Sequence, residues 1–157
     1  MRYVVRVLIL ALIVFAQPAQ ARLPACTSAA ERDAMAVRAL QSFFMLAGVA
    51  CNQADSYNRY MTRYQAQVAA HTEHLKGYFT RVYGRKGETH LNDFVTNLAN
   101  AWSQVHLDGM NTYCKATWDI LVQLEKMPAV DDAKMVRIAH TLARQKPVAA
   151  VLCQSDK

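Results

Sequence analysis

The chain has 157 residues and carries 18 Lys and Arg against 12 Asp and Glu, for a formal net charge of +6. This length suits one ordinary domain and is too short for two once a leader is removed. The basic residues are spread along the chain and form no large patch, so the composition disfavours nucleic acid as a partner.

The first 21 residues have the three-part layout of a secretory signal peptide. Arg2 and Arg6 form a basic start, an apolar run covers residues 7–16, and Ala19-Gln20-Ala21 supplies the small residues that signal peptidase requires. The run is about half of the roughly 20 apolar residues that span a bilayer, so a membrane anchor fits poorly. We predict cleavage after Ala21. Residues 22–157 then form a single mature domain, periplasmic or secreted, that is not an integral membrane protein.

Apolar residues in the mature part recur at intervals of three and four, which is the helical period. The first predicted helix begins at Ser28, where Ser28 and Glu31 form a capping box, and it runs to Cys51. After a tight connection, Asp55 caps a second predicted helix that extends to about Tyr83. Each of these helices is long enough to cross a small domain.

A glycine-bearing turn at residues 84–87 ends the second helix, as glycine favours helix ends. A third helix is predicted over roughly residues 89–105, and a fourth over about 115–126, with Trp118 on its inner face. Asp131 caps a fifth helix that continues to about residue 144. The pattern predicts an all-α fold, an antiparallel bundle of about four to five helices.

Four cysteines follow the signal peptide: Cys26, Cys51, Cys114 and Cys153. An even number in an exported chain favours two disulfides, and the wide spacing argues against a Cys-x-x-Cys metal site. Cys51 and Cys114 finish at the same end of the predicted bundle, and Cys26 can meet Cys153 at the other end. Among three possible connectivities we therefore predict Cys51–Cys114 and Cys26–Cys153.

Six short segments carry a resemblance to a known family: Leu40-Gln41-Ser42-Phe43-Phe44-Met45, Cys51, Tyr57-Asn58-Arg59-Tyr60, Tyr83-Gly84, Phe94-Val95-Thr96-Asn97-Leu98-Ala99-Asn100 and Tyr113-Cys114. They resemble a family of small exported, all-helical, four-cysteine proteins of Gram-negative bacteria. The likeness covers about residues 26 to 125. It implies export, a helical fold and paired cysteines, and it transfers no activity.

His71 and His74 are the most suggestive local pair for a metal site. Residues three apart share a helix face, so both imidazoles can reach one ion. Zinc normally takes three or four protein ligands, so a further ligand would come from His90, His106, His140 or a carboxylate. The alternative, which we favour, places His71 on the packed side of the helix and His74 in solvent.

Tyr57, Tyr60 and Tyr64 lie on one side of the second predicted helix, beside Arg59 and Arg63. Tyrosines in this arrangement suit a ligand groove or a partner surface. The same stripe is more often bundle core with its hydroxyls at the rim, and we favour that interpretation. The partner surface stays open as the alternative.

The sequence carries no Gly-x-Ser-x-Gly or phosphate-loop motif, and the lack of Cys-x-x-Cys-His excludes covalent c-type haem. We therefore expect no cofactor and no enzymatic activity. The favoured function is that of an exported protein that binds a protein or another macromolecule through an exposed helical face. The alternative is a periplasmic metal- or small-ligand-binding protein that uses His71 and His74.

Overall fold

A computed structural model of the chain describes residues 23–26 and 28–153. Within these residues the fold is all-α, with no β-strand, as the sequence predicts. The helices are α1 (Ala29–Ala50), α2 (Ala54–Arg63), α3 (Gln65–Tyr83), α4 (Gly87–Asp108), α5 (Met110–Glu125), α6 (Asp132–Ala143) and the short α7 (Lys146–Ala149), with a 3₁₀ turn at Gly84–Lys86. The predicted signal peptide and its cleavage site lie outside the described residues.

Helix α1 is the centre of the bundle and packs against α2, α3, α4, α5 and α6. Its N-cap is Ser28, as predicted, because the Ser28 hydroxyl accepts a hydrogen bond from the Glu31 backbone N–H at 3.1 Å. The Glu31 carboxylate pairs with Arg81 of α3 at 2.6 Å. By length and apolar composition α1 could cross a membrane, but 61 % of its most apolar stretch is buried inside the fold. Burial to this extent is typical of a helix at the core of a bundle.

The single helix predicted from Asp55 to Tyr83 is wrong in two respects. Its N-cap is Gln53, because α2 begins at Ala54 and places Asp55 in the first turn. The Gln53 side chain makes no capping hydrogen bond to α2. Its Nε2 donates instead to the Cys114 carbonyl oxygen at 2.9 Å. The helix is also divided at Tyr64, so the five long helices of the prediction become six.

The division at Tyr64 follows from contacts far along the chain. Arg63 donates a hydrogen bond to the carbonyl oxygen of Met127, and the Tyr64 hydroxyl donates to that of Leu124 at 3.4 Å. Both acceptors lie at or just beyond the C-terminal end of α5. Helix α2 therefore packs against α5, and after Tyr64 the chain continues as α3, which packs against α1 and α4.

Helix α5 begins earlier than predicted, and Trp118 does not face inward. The buried face of α5 is formed by Tyr113, Thr117, Leu121 and Leu124. Thr117 can be fully buried because its hydroxyl donates to the Tyr113 carbonyl oxygen at 2.8 Å. Trp118 is the next residue, about 100° further round the helix, and is 49 % exposed.

Both predicted disulfides are present, Cys26–Cys153 and Cys51–Cys114, each with a Cα–Cα distance of 5.5 Å. The first joins the segment before α1 to the segment after α7. The second joins the C-terminal end of α1 to α5. The predicted N-cap of the last long helix is also confirmed, since the Asp131 side chain accepts from the Lys134 N–H at 2.8 Å.

Aromatic side chains fill the core between α1, α4 and α5. The ring of Phe43 lies 4.8 Å from that of Trp102 and 4.7 Å from that of Tyr113, measured between centroids. The polar atoms of these rings are satisfied, because the Trp102 indole N–H donates to the Ala39 carbonyl oxygen at 2.8 Å. Hydrogen-bonded rings of this kind fix the three helices against each other.

Candidate functional site

A groove of about 710 Å³ runs along one face of α4, and we call it the α4 groove. Its volume lies in the range of small-molecule binding sites, which is roughly 300 to 1,000 Å³. One edge comes from α4, and the facing wall comes from the chain segments around the Cys26–Cys153 disulfide. The lining residues are Leu23, Tyr83, His90, Asp93, Phe94, Asn97, Asn100, Ala101, Gln104, Pro147, Ala150 and Val151.

The α4 edge of the groove is polar. His90, Asp93, Asn97, Asn100 and Gln104 follow one another at intervals of three and four, so they form a continuous row on one helix face. Asp93, Asn97 and Asn100 are exposed, and their side chains make no hydrogen bond to any described residue. The row therefore presents carboxylate and amide groups that are available to a ligand.

The floor and the facing wall of the groove are apolar. Phe94 and Ala101 lie below the polar row and belong to the buried core. Leu23 and Val151 face them from the other side. Because Leu23 lies three residues before Cys26 and Val151 two residues before Cys153, the Cys26–Cys153 disulfide holds this wall in place.

A stack of rings closes one end of the groove. The imidazole of His90 lies on the ring of Tyr83, with centroids 3.8 Å apart and planes inclined by 24°. The ring of Tyr83 in turn stacks on that of Phe79 at 5.9 Å, so it is fixed from the other side. This end offers a flat surface whose position is set by the core.

The lining chemistry favours the binding of an uncharged molecule. None of the lining residues that the structure describes is lysine or arginine, so those residues supply no permanent cation for an anionic ligand. Serine, threonine and cysteine are not among the described lining residues either. Amide side chains both donate and accept hydrogen bonds, so they suit hydroxyl or amide groups on a ligand.

A second feature lies at the other disulfide. The sulfur atoms of Cys51 and Cys114 and a ring nitrogen of His106 lie within 4.8 Å of one another, and we call this set the Cys–His cluster. All three residues are partly buried. His106 Nε2 is buried and has no hydrogen-bond partner within the described part of the chain. The rings of His106 and Tyr113 pack edge to face, with centroids 5.3 Å apart.

Exposed apolar side chains surround the Cys–His cluster along the chain. Val49 lies two residues before Cys51, Met110 and Trp118 lie one helical turn on either side of Cys114, and Leu107 follows His106. Each of the four is at least 49 % exposed. We call them the disulfide-end patch: Val49, Leu107, Met110 and Trp118.

The structure places the two predicted metal ligands in different surroundings. His71 is mostly buried, and its Nε2 lies 3.1 Å from a carboxylate oxygen of Asp132. His74 is exposed to solvent. This is the placement of the favoured alternative, and among the described residues the two histidines join no set of three potential ligands. Metal binding by His71 and His74 stays a prediction.

Two of the three candidate contact tyrosines belong to the core. Tyr60 and Tyr64 are fully buried and stack on each other, with centroids 5.3 Å apart. Burial raises the pKa of the Tyr60 hydroxyl, with a smaller contribution from the neighbouring Tyr64. Their side chains therefore offer no surface to a partner in this fold. Tyr57 is partly exposed and stays a candidate contact residue.

The chain matches no protein-family profile, no curated protein sequence and no solved structure. The resemblance to exported four-cysteine proteins therefore stays a prediction. The polar row of the α4 groove is visible in the sequence as Asp, Asn, Asn and Gln at helical spacing, a pattern that the sequence analysis does not single out. The approach of His106 to the disulfide carries no such signal, because it depends on how α1, α4 and α5 meet.

Proposed function

We propose that this is an exported, non-enzymatic binding protein whose α4 groove takes up a small uncharged ligand. The observation that carries this proposal is the row of unpaired polar side chains, Asp93, Asn97 and Asn100, above an apolar floor. Two disulfides support export, since such bonds persist in oxidising compartments. The predicted signal peptide is consistent with the same location, the periplasm or the exterior.

The groove also indicates what the ligand looks like. Its apolar wall requires a ligand with one apolar side, and its amide row requires hydroxyl or amide groups along the opposite edge. A neutral saccharide or a short neutral peptide has both features. The single carboxylate, Asp93, tolerates a positive group but disfavours an anion.

The first test is native mass spectrometry of the protein recovered from the periplasm, followed by a thermal-shift screen against neutral saccharides and short neutral peptides. We expect an added mass or a raised melting temperature for one of these classes. A double variant, Asn97→Ala with Asn100→Ala, should abolish the shift. Asn92→Ala is the matched control, because Asn92 is exposed on the same helix and does not line the groove.

Two results would contradict the proposal. The first is that neither the recovered protein nor the screen shows a ligand. The second is that the double variant binds as well as the Asn92→Ala control. The melting temperatures of the free variants should stay close to that of the unaltered protein, because the changed side chains are exposed and make no internal hydrogen bond.

The disulfide-end patch favours a second candidate function, the binding of a protein partner. The four exposed side chains flank the residues of the Cys–His cluster in sequence, and large exposed apolar patches mark interaction sites. The patch carries large apolar side chains and an indole, which suits the apolar face of an amphipathic helix in another exported protein. This candidate corresponds to the function that the sequence favours.

A photoreactive amino acid at position 118 tests the second candidate in living cells. We expect one cross-linked protein that is absent when the same group is placed at position 130, since Val130 is an exposed apolar residue in the loop between α5 and α6. The identified protein should then bind the purified chain, and Met110→Glu should weaken that binding. Equal cross-linking from both positions would reject the patch as an interface.

A further inference from the structure

We propose that the Cys–His cluster is a metal site of the reduced protein, in which Cys51, Cys114 and His106 bind a thiophilic d¹⁰ cation, Zn²⁺ or Cu⁺. In the oxidised protein the two sulfurs are joined to each other, and the site is closed. The disulfide thus acts as the switch between a braced form and a metal-binding form. This inference does not depend on the α4 groove.

The geometry of the three groups fits such a site. With Zn–S near 2.3 Å and Zn–N near 2.0 Å, the ligand atoms of a tetrahedral site lie about 3.5 to 3.8 Å apart. The candidate atoms already lie within 4.8 Å of one another. The Cys51 and Cys114 backbones are 5.5 Å apart between Cα atoms, so rotation of the side chains can separate the sulfurs to the required distance.

His106 has the features of a metal ligand. Its Nε2 is buried and makes no hydrogen bond to a described residue. A buried ring nitrogen without a partner costs free energy, and a metal ion bound through Nε2 would satisfy it. Zinc sites with two cysteines and one histidine leave a fourth position for water, and the partial exposure of all three residues here allows water to enter.

The surroundings hold the ligands in place without the disulfide. Tyr113 contacts the His106 ring and donates its hydroxyl hydrogen to the Phe43 carbonyl oxygen at 2.7 Å, so the neighbour of Cys114 is fixed to α1. The Gln53 side chain donates to the Cys114 carbonyl oxygen from the Cys51 side of the cluster. Contacts of this kind orient metal ligands and strengthen binding.

Opening the site requires a dithiol reductant, which supplies two electrons and two protons. A thiolate of the dithiol attacks one sulfur of the Cys51–Cys114 bond and forms a mixed disulfide, and its second thiol then displaces the other cysteine. The products are two free cysteine thiols and one oxidised dithiol. A divalent cation then displaces both thiol protons and is held by two thiolates and neutral imidazole.

The test is an anaerobic titration of the reduced, desalted protein with Co²⁺, followed by displacement with Zn²⁺ and by competition for Cu⁺ against a chromogenic chelator. We expect one ion per chain, with a thiolate-to-cobalt charge-transfer band that is absent from the oxidised protein. His106→Ala should weaken metal binding by roughly tenfold or more, whereas His140→Ala, a change on α6 outside the Cys–His cluster, should not.

Two further variants keep the test decisive if reduction of both disulfides loosens the fold. After reduction, the double variant Cys26→Ala with Cys153→Ala must still bind the metal ion, since these two cysteines lie outside the cluster. In Cys51→His the Cys26–Cys153 bond stays oxidised and Cys114 is a free thiol, so Co²⁺ should bind without any reductant. Adding His106→Ala to that variant should again weaken Co²⁺ binding roughly tenfold. If neither the reduced protein nor Cys51→His binds any of the three ions, or if His106→Ala changes nothing, the proposal is wrong.

Discussion

Tyr113 donates its phenolic hydrogen to the backbone carbonyl oxygen of Phe43 at 2.7 Å, and the two rings pack edge to face with centroids 4.7 Å apart. This contact ties α5 to the second half of α1, next to the disulfide-bonded Cys114. Both residues are buried, so water cannot replace the hydrogen bond. The disulfide end of the bundle is therefore held by a covalent bond and a buried hydrogen bond side by side.

Tyr113→Phe should lower the free energy of unfolding by about 1 to 1.5 kcal/mol, because it removes this hydrogen bond and leaves the ring in place. Urea denaturation measures the change, with an unchanged dependence of the free energy on urea concentration. Tyr57→Phe is the control, because the Tyr57 hydroxyl makes no hydrogen bond with a described residue. Equal stability of the two variants would show that the Tyr113 contact contributes nothing.

Alkaline pH should destabilise the fold through its buried tyrosines. Burial raises the pKa of Tyr78 from 10.0 to about 12, and the Tyr78 hydroxyl donates to the Pro24 carbonyl oxygen at 2.6 Å. Below pH 10 the tyrosine is protonated in both states. Between its unfolded and folded pKa values only the unfolded chain releases the proton, so stability falls as the pH rises.

Each such tyrosine contributes a loss of up to about 1.4 kcal/mol per pH unit above its unfolded pKa. Urea denaturation of the unaltered protein and of Tyr78→Phe between pH 8 and pH 11 measures this loss. Tyr78→Phe should be less stable at pH 8, because its hydrogen bond is gone, and should then lose stability less steeply above pH 10. Parallel curves over the whole range would contradict the assignment.

The features that the sequence predicts correctly depend on local signals or on simple topology. Ser28 and Asp131 are caps because a short polar side chain precedes an apolar helical pattern, and both are confirmed. The disulfide pairs follow from which helix ends meet in an antiparallel bundle. The break at Tyr64 is different, since it depends on acceptors about sixty residues away, at and just beyond the C-terminal end of α5.

The candidate sites were harder to predict for the same reason. Trp118 looks like a core residue, but Thr117 takes the inward position once its hydroxyl is bonded to Tyr113. His106 has no neighbour in sequence that indicates a metal site, and only packing brings it to Cys51 and Cys114. The α4 groove needs a wall from the far ends of the described chain, which the Cys26–Cys153 bond supplies.

Loss of either disulfide should lower the free energy of unfolding. The sequence separations are 127 residues for Cys26–Cys153 and 63 for Cys51–Cys114, which correspond to about 4 to 5 kcal/mol each in the chain-entropy model. We expect paired cysteine-to-alanine variants to lose stability of this order in urea denaturation. Only the Cys26/Cys153 variant should also lose ligand binding in the α4 groove, because only that bond holds the groove wall. Equal effects of the two variants on ligand binding would contradict this role.

Glycine-to-alanine substitutions at Gly87 and Gly77 should change the stability of the fold in opposite directions. A Cβ atom at Gly87 would lie 2.9 Å from the Phe79 carbonyl oxygen and 3.0 Å from the Thr80 nitrogen, both backbone atoms that cannot move aside. Gly87→Ala should therefore destabilise the fold by about 1 to 3 kcal/mol, because the start of α4 must shift away from α3. At Gly77, in the exposed middle of α3, a Cβ atom would meet nothing within 4 Å.

Gly77→Ala should stabilise the fold by about 0.5 to 1 kcal/mol, because alanine loses less backbone freedom than glycine when a helix forms. Urea denaturation of both variants under the same conditions measures the two effects, and circular dichroism checks that each keeps its helices. If Gly87→Ala proves as stable as Gly77→Ala, the close approach of α4 to the end of α3 is not the packing that the protein adopts. The same turn positions His90 against Tyr83 at one end of the α4 groove.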